Sequence, residues 1–103
     1  MQYLSQIQEF YSRQLTQRLS ARAQALWHYL TFCVNQARWR QPLEVRRELL
    51  QGALSMSKRQ FYAARDELTA GGYISVERRA GNQPSLYTVI DLTLLRRTET
   101  GED

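Results

Sequence analysis

A chain of 103 residues has room for one domain with a small core, and its only cysteine, Cys33, excludes an internal disulfide and a zinc site built from several cysteines. No apolar run approaches the ~20 residues of a membrane span and the N-terminus lacks a signal peptide's apolar stretch, which favours a cytoplasmic protein without a membrane partner. The net charge is +4, and 13 of the 14 basic residues are arginine. This basic excess is compatible with a polyanionic partner, and equally with arginines that only keep the domain soluble.

The first predicted element is an accessory amphipathic helix over residues 1–19. From residue 3 onward, apolar side chains recur on one stripe at helical spacing and glutamines lie opposite. A single helix of this length is marginal alone, so its stripe must pack on its own domain or on another chain.

A second helix is predicted over residues 21–37, with Ser20 as its N-cap. Trp27 and Val34 widen its apolar arc beyond what one packing surface needs. We expect this helix to be sandwiched between the N-terminal helix and the rest of the core. The alternative is that the wide face and the N-terminal stripe form a symmetric dimer. The predicted self-association residues are Tyr3, Leu4, Ile7, Tyr11, Trp27 and Val34.

Residues 43–70 predict a helix–turn–helix. A short helical pattern over 43–53 breaks at Leu54-Ser55-Met56. Ser57 and Gln60 have the spacing of a capping box and open a second helix over 58–70, which stops at Gly71-Gly72.

Residues 73–79 and 85–90 alternate like two strands of a hairpin, or wing. Ile74 and Val76 can face either the pair Tyr87 and Val89 or the pair Leu86 and Ile90, and the pattern does not choose. The predicted fold is therefore mainly α with a small β-hairpin, a winged helix–turn–helix with an additional N-terminal helix, over residues 1–91. Residues 92–103 are predicted to be a tail or linker.

Basic residues recur at the places where such a motif meets DNA. One pair opens the first helix of the motif, a second lies in the first turn of the next helix, and a third approaches the wing tip. This placement predicts that the second helix meets a DNA groove while flanking arginines bind phosphates. The predicted DNA-binding residues are Arg46, Arg47, Ser57, Lys58, Arg59, Tyr62, Arg65, Arg78, Arg79, Asn82 and Gln83.

Structural roles compete for some of these residues. Arg65 could pair with Asp66 or Glu67, or bridge to Glu48, and Tyr62 could be a partly buried rim residue. Asp66 opposes phosphate binding, although it could accept a hydrogen bond from a cytosine amino group.

No pattern points to catalysis, a metal site or a cofactor. His28 is the only histidine, and it lies about 140° around its helix from Cys33, so the two cannot form a nucleophile–base pair. We therefore expect a non-enzymatic module, and two classes of function remain: DNA binding and protein assembly.

The order and spacing of several short stretches resemble the N-terminal winged-helix domain of DnaD-like primosomal and phage replisome-organizer proteins. These stretches are Phe10-Tyr11, Leu19-Ser20-Ala21, Ala25-Leu26-Trp27-His28-Tyr29-Leu30, Leu54-Ser55-Met56-Ser57-Lys58, Ala64-Arg65-Asp66-Glu67-Leu68 and Gly81-Asn82-Gln83-Pro84-Ser85.

The resemblance implies a replication-initiation helper that binds DNA, self-associates as a homodimer or higher oligomer, and meets a helicase or its loader. It also implies that a second, C-terminal helical domain normally follows, and it supplies no catalytic residues. A sequence-specific transcriptional regulator and a purely oligomerising module are the alternatives.

Overall fold

The computed structural model describes residues 2–94, and residues 95–103 of the predicted tail lie outside this part. The elements in chain order are α1 (Tyr3–Arg13), α2 (Ala21–Gln36), β1 (Leu43–Val45), α3 (Arg47–Leu54), α4 (Lys58–Ala70), β2 (Ile74–Glu77) and β3 (Ser85–Val89). The predicted mainly helical winged helix–turn–helix with an additional N-terminal helix is confirmed, and the sheet has one strand more than predicted.

Helix α1 is shorter than the predicted element because a side chain takes over the backbone hydrogen bonding after Arg13. The Gln14 carboxamide accepts from the Leu19 backbone N–H at 3.0 Å and donates to the Tyr73 hydroxyl at 3.3 Å. Residues 14–20 thus form an irregular connection, and Leu15 is 77% exposed beyond the end of the helix.

Helix α2 is the centre of the core, and Ser20 caps it by accepting from the Ala23 backbone N–H at 3.1 Å. The Phe10 ring from α1 stacks on Trp27 with a centroid distance of 3.8 Å and an interplanar angle of 10°. The other side of α2 packs on α4 and α3, so the predicted sandwich is confirmed. Trp27 and Val34 are completely buried, and their prediction as self-association residues is wrong: the wide apolar arc serves two partners within the same chain.

The predicted helix over residues 43–53 is wrong in its first part. Residues Leu43–Val45 form strand β1, which pairs antiparallel with β3, and the helix begins only at Arg47. Strand pairing with a distant segment outweighs the local helical pattern here, and Val45 is buried in the core as a result. Helix α3 ends at Leu54, where Ser55 adopts a left-handed conformation with φ 54°, as the predicted break requires.

The second helix of the motif and the wing follow the prediction closely. Both halves of the capping box form, with Ser57 accepting from the Gln60 backbone and Gln60 from the Ser57 backbone. Gly72, with φ 79°, turns the chain into β2. In the hairpin Ile74 faces Val89, so the register with Tyr87 and Val89 inward is the one adopted. The sheet order is β1-β3-β2.

A buried glutamine fastens α1 to the segment after the wing. Gln6 is fully buried, its amide donates to the Ile90 carbonyl at 2.7 Å, and its carbonyl accepts from the Leu92 N–H at 3.0 Å. Leu92 is itself buried in the core, so the prediction that the tail begins at this residue is wrong. The additional N-terminal helix is therefore an integral part of the fold.

Within the described residues, no helix has both the length and the apolar character needed to cross a bilayer.

Candidate nucleic-acid interface

A cleft of about 600 Å³ separates the wing from the N-terminal end of α3 and from α4. Arginine dominates it: five arginines line the cleft against one glutamate and one aspartate, so the cleft is strongly positive. Its polar and aromatic lining residues are Arg46, Arg47, Glu48, Tyr62, Arg65, Asp66, Arg78, Arg79, Asn82, Gln83, Ser85 and Tyr87. We call it the α4–wing cleft.

Two of the lining arginines are free to meet a ligand. Arg46 is the N-cap residue of α3 and is exposed, as is Arg78 on the wing. Neither guanidinium group makes a hydrogen bond or an ion pair with any residue from 2 to 94. Their guanidinium groups therefore keep all their donors for an external anion.

Lys58 and Arg59 extend this positive surface beyond the cleft. Both are exposed in the first turn of α4 and are unpaired within the described part of the chain. They precede Tyr62 by four and three residues, which places all three on one side of the helix. Ser57 instead uses its hydroxyl to cap α4, accepting from Gln60 at 3.1 Å.

The Arg47 side chain, by contrast, is bound within the protein. Its Nε donates to Gln51 at 2.9 Å, Nη1 to the Tyr62 hydroxyl at 3.2 Å and Nη2 to Glu48 at 3.1 Å. Tyr62 is half-buried, so its interpretation as a rim residue is correct. Arg47 thus joins α3 to α4. It adds positive charge to the cleft, but its donors are already used within the protein.

Arg79 is also held internally. It donates to Glu44 at 2.6 Å, which ties the wing to β1, and to the Pro84 carbonyl at 2.8 Å, which joins the two sides of the wing tip. The sequence pattern missed the partner because Glu44 lies in a strand that was predicted to be helical. Arg79 therefore shapes the wing, while Arg78 next to it faces outward.

Arg65 does not lie on the exposed face predicted for it. It is only 5% exposed, its Nη1 donates to the Tyr87 hydroxyl at 3.1 Å, and its guanidinium lies over the Tyr62 ring at 4.9 Å. None of the acidic pairings considered for it forms. Glu67 instead accepts from the Ser20 backbone N–H at 2.9 Å and hydroxyl at 2.6 Å.

The clustered cations change the acidity of the Tyr62 phenol. Its pKa is lowered, chiefly by the hydrogen bond from Arg47, while desolvation opposes this and the charges of Arg47, Arg65 and Lys58 add to it. The same hydrogen bond raises the pKa of Arg47. The main cause is thus a local hydrogen bond, and the surrounding cations make smaller contributions in the same direction.

The wing tip carries Asn82 and Gln83, which are exposed and line the outer part of the cleft. Gly81, with φ 69°, forms the turn before them. Their amide groups are placed to hydrogen-bond a ligand between the wing and α4.

The predicted self-association residues of α1 divide into two groups. Ile7 packs against the core and Tyr3 lies beside Trp39 at 6.5 Å, so both are half-buried within the protein. Leu4 and Tyr11 are 66% and 45% exposed. The outer apolar surface of α1 is therefore smaller than the sequence pattern predicts.

His28 and Cys33 lie five residues apart on α2. His28 bonds through Nε2 to the Tyr11 hydroxyl, and burial lowers its pKa. Burial raises the pKa of the Cys33 thiol, which disfavours the reactive thiolate. Within residues 2–94 no three histidine, cysteine or acidic side chains are grouped to hold a metal ion.

No protein-family model and no curated protein matches this sequence, so the DnaD-like resemblance stays a prediction. A chain from the structure of a Rep–DNA complex has a similar fold, with a TM-score of 0.65 and 15% sequence identity. The similarity covers 93% of this chain and 85% of that chain. At this identity the likeness establishes the fold alone, and the chain therefore shares its fold with a chain of a protein–DNA complex.

Proposed function

We propose that this chain is a non-enzymatic DNA-binding module that acts in DNA replication. The observation that carries the proposal is a set of exposed, unpaired cations on α3, α4 and the wing, around a cleft that is itself positive. The fold shared with a chain of the Rep–DNA complex supports DNA as the ligand, and the DnaD-like resemblance suggests the replication setting.

In this proposal the N-terminal turn of α4 enters the major groove, as the second helix of a helix–turn–helix does. Lys58 and Arg59 meet base edges or phosphates there. Arg46 and Arg78 bind phosphates on either side, the former with help from the positive N-terminal end of α3. Arg47 and Arg79 hold α3 and the wing in position for these contacts.

Such an interface favours phosphates over base sequence, because most of its free donors are flexible cations. We therefore propose little or modest sequence preference. The replication-initiation role and a helicase or its loader as partner follow from the DnaD-like resemblance. A palindromic target with defined half-site spacing would favour a transcriptional regulator instead.

The test of DNA binding is a fluorescence titration of the protein with a blunt-ended duplex at several salt concentrations. We expect the affinity to fall steeply as salt rises, with a slope of about 0.9 for each phosphate neutralised. Absence of binding at low salt would exclude the proposal.

Self-association is a second candidate function, favoured by the apolar outer surface of α1. Leu4 and Tyr11 are seven residues apart and share one side of the helix, and Leu15 follows just beyond its end. Exposed apolar side chains along one helix can be covered by a second copy of the chain.

We predict that Leu4→Asp combined with Leu15→Asp lowers the mass measured by light scattering to that of a monomer and leaves DNA affinity within about twofold, because charges on an exposed apolar patch oppose its burial. Ala21→Asp combined with Gln36→Asp, which adds the same two charges at exposed positions of α2, is the matched control. An oligomer that persists in the folded double variant would show that α1 is not the interface.

A further inference from the structure

Resting on the proposed DNA-binding function, we infer that the α4–wing cleft receives an unpaired nucleotide and that Arg65, at its floor, binds the phosphate of that nucleotide. The proposal deepens the function by separating two ligand surfaces. Protruding cations meet duplex DNA, and a recessed arginine meets a strand that has left the duplex.

The first observation is that Arg65 is a buried charge without an anion. Its guanidinium has one hydrogen-bond acceptor, the Tyr87 hydroxyl, and no carboxylate of residues 2–94 lies within ion-pair distance. Burying an unpaired charge is costly. The rings of Tyr62 at 4.9 Å and Phe61 at 5.6 Å offset part of this cost through cation–π contacts. The Arg65 guanidinium is therefore fixed in place and can still bind an anion.

The second observation is that the cleft gives access to this side chain. Arg65 and Tyr87 both line the cleft, and the nitrogens of Arg65 that lack a partner are not among the fully buried atoms. A phosphate that enters the cleft can therefore accept hydrogen bonds from the guanidinium fork. The Tyr87 hydroxyl holds the fork in one orientation.

The third observation concerns shape. The phosphates of a duplex meet protruding side chains first, and Arg65, which is only 5% exposed and lines a cleft, offers them little surface. A volume of about 600 Å³ is that of a small-molecule site. An unpaired nucleotide can turn into such a space, where Asn82 and Gln83 offer amides to its base.

The phosphate could be internal to a single strand or at its 5′ end, and the chemistry at Arg65 is the same. The experiment measures fluorescence anisotropy with a short oligothymidylate labelled at its 3′ end, with and without a 5′ phosphate, and with a blunt-ended hairpin duplex. The variants are Arg65→Met, Tyr87→Phe and, as a charge-matched control, Arg46→Met. Circular dichroism and thermal melting establish which variants are folded.

We expect Arg65→Met to weaken oligothymidylate binding about tenfold, the effect of losing a charged hydrogen bond, and to change hairpin binding less than about twofold. Tyr87→Phe keeps the ring and the charge but frees the guanidinium, so it should weaken oligothymidylate binding about threefold. Arg46→Met should weaken both ligands alike. If Arg65→Met loses more affinity for the 5′-phosphorylated strand than for the unphosphorylated one, Arg65 binds the terminal phosphate. If the two losses are equal, Arg65 binds an internal phosphate.

The inference is overturned if folded Arg65→Met binds oligothymidylate as the wild type does, or if it weakens the hairpin as much as the single strand. If Arg65→Met does not fold, unchanged oligothymidylate binding by Tyr87→Phe overturns it. Salt-dependent hairpin binding by the wild type would leave the DNA-binding function standing in either case. If the wild type does not bind the hairpin, the proposed DNA-binding function is itself wrong.

Discussion

Replacing Arg59 and Arg78 together with alanine should weaken binding to a blunt duplex about fiftyfold to hundredfold at about 0.1 M salt, the effect of losing two phosphate contacts. Both side chains are exposed and neither is paired within residues 2–94, so their removal leaves no buried partner without a bond. The free energy of unfolding should stay within about 0.5 kcal/mol of the wild type. The measurement is a fluorescence titration with urea unfolding in parallel.

The matched control is Arg18→Ala combined with Arg22→Ala. These two exposed arginines flank Ser20, which is bonded to Glu67 near the C-terminal end of α4, far from Lys58 at its N-terminal end. The control removes the same charge from the whole protein but not from the proposed face. Equal losses of affinity in both double variants would mean that net charge, not placement, governs binding.

Phe10→Ala should lower the free energy of unfolding by about 3–5 kcal/mol, a large part of the 5–15 kcal/mol that stabilises a domain of this kind. The ring is completely buried, stacked on Trp27 and edge-on to Tyr73 at 5.3 Å. Its removal leaves a cavity between α1 and the rest of the core. Urea unfolding followed by circular dichroism measures the loss.

The control for Phe10→Ala is Leu4→Ala, which truncates an exposed side chain of the same helix and should cost less than about 0.5 kcal/mol. A loss below about 1 kcal/mol for Phe10→Ala would show that α1 is a loosely attached appendage. The fold described here instead makes α1, through Phe10 and Gln6, part of one cooperative unit.

The elements with strong local signals could be predicted from the sequence. Helix α4 has a capping box at Ser57 and a glycine turn after Ala70, and each of these signals involves only residues close together in the sequence. The break at Ser55 is equally local. Strand β1 could not be predicted, because three residues become a strand only by pairing with β3 some forty residues later.

The candidate site shows the same division. The positions of Lys58 and Arg59 follow from helical periodicity and the cap alone, and both are exposed as predicted. The burial of Arg65 depends on the Tyr87 hydroxyl across the wing, and the internal bond of Arg79 depends on Glu44 in the unpredicted strand. Tertiary contacts thus decided which arginines are free, and periodicity along one helix contains no information about them.

The most direct test of the central claim is the slope of log affinity against log salt for a blunt duplex, compared between the wild type and the Arg59→Ala/Arg78→Ala variant. If these exposed arginines of α4 and the wing bind phosphates, the slope should fall by about 1.8, since each contact contributes about 0.9. A variant that is folded and shows an unchanged slope would contradict the proposed DNA-binding face.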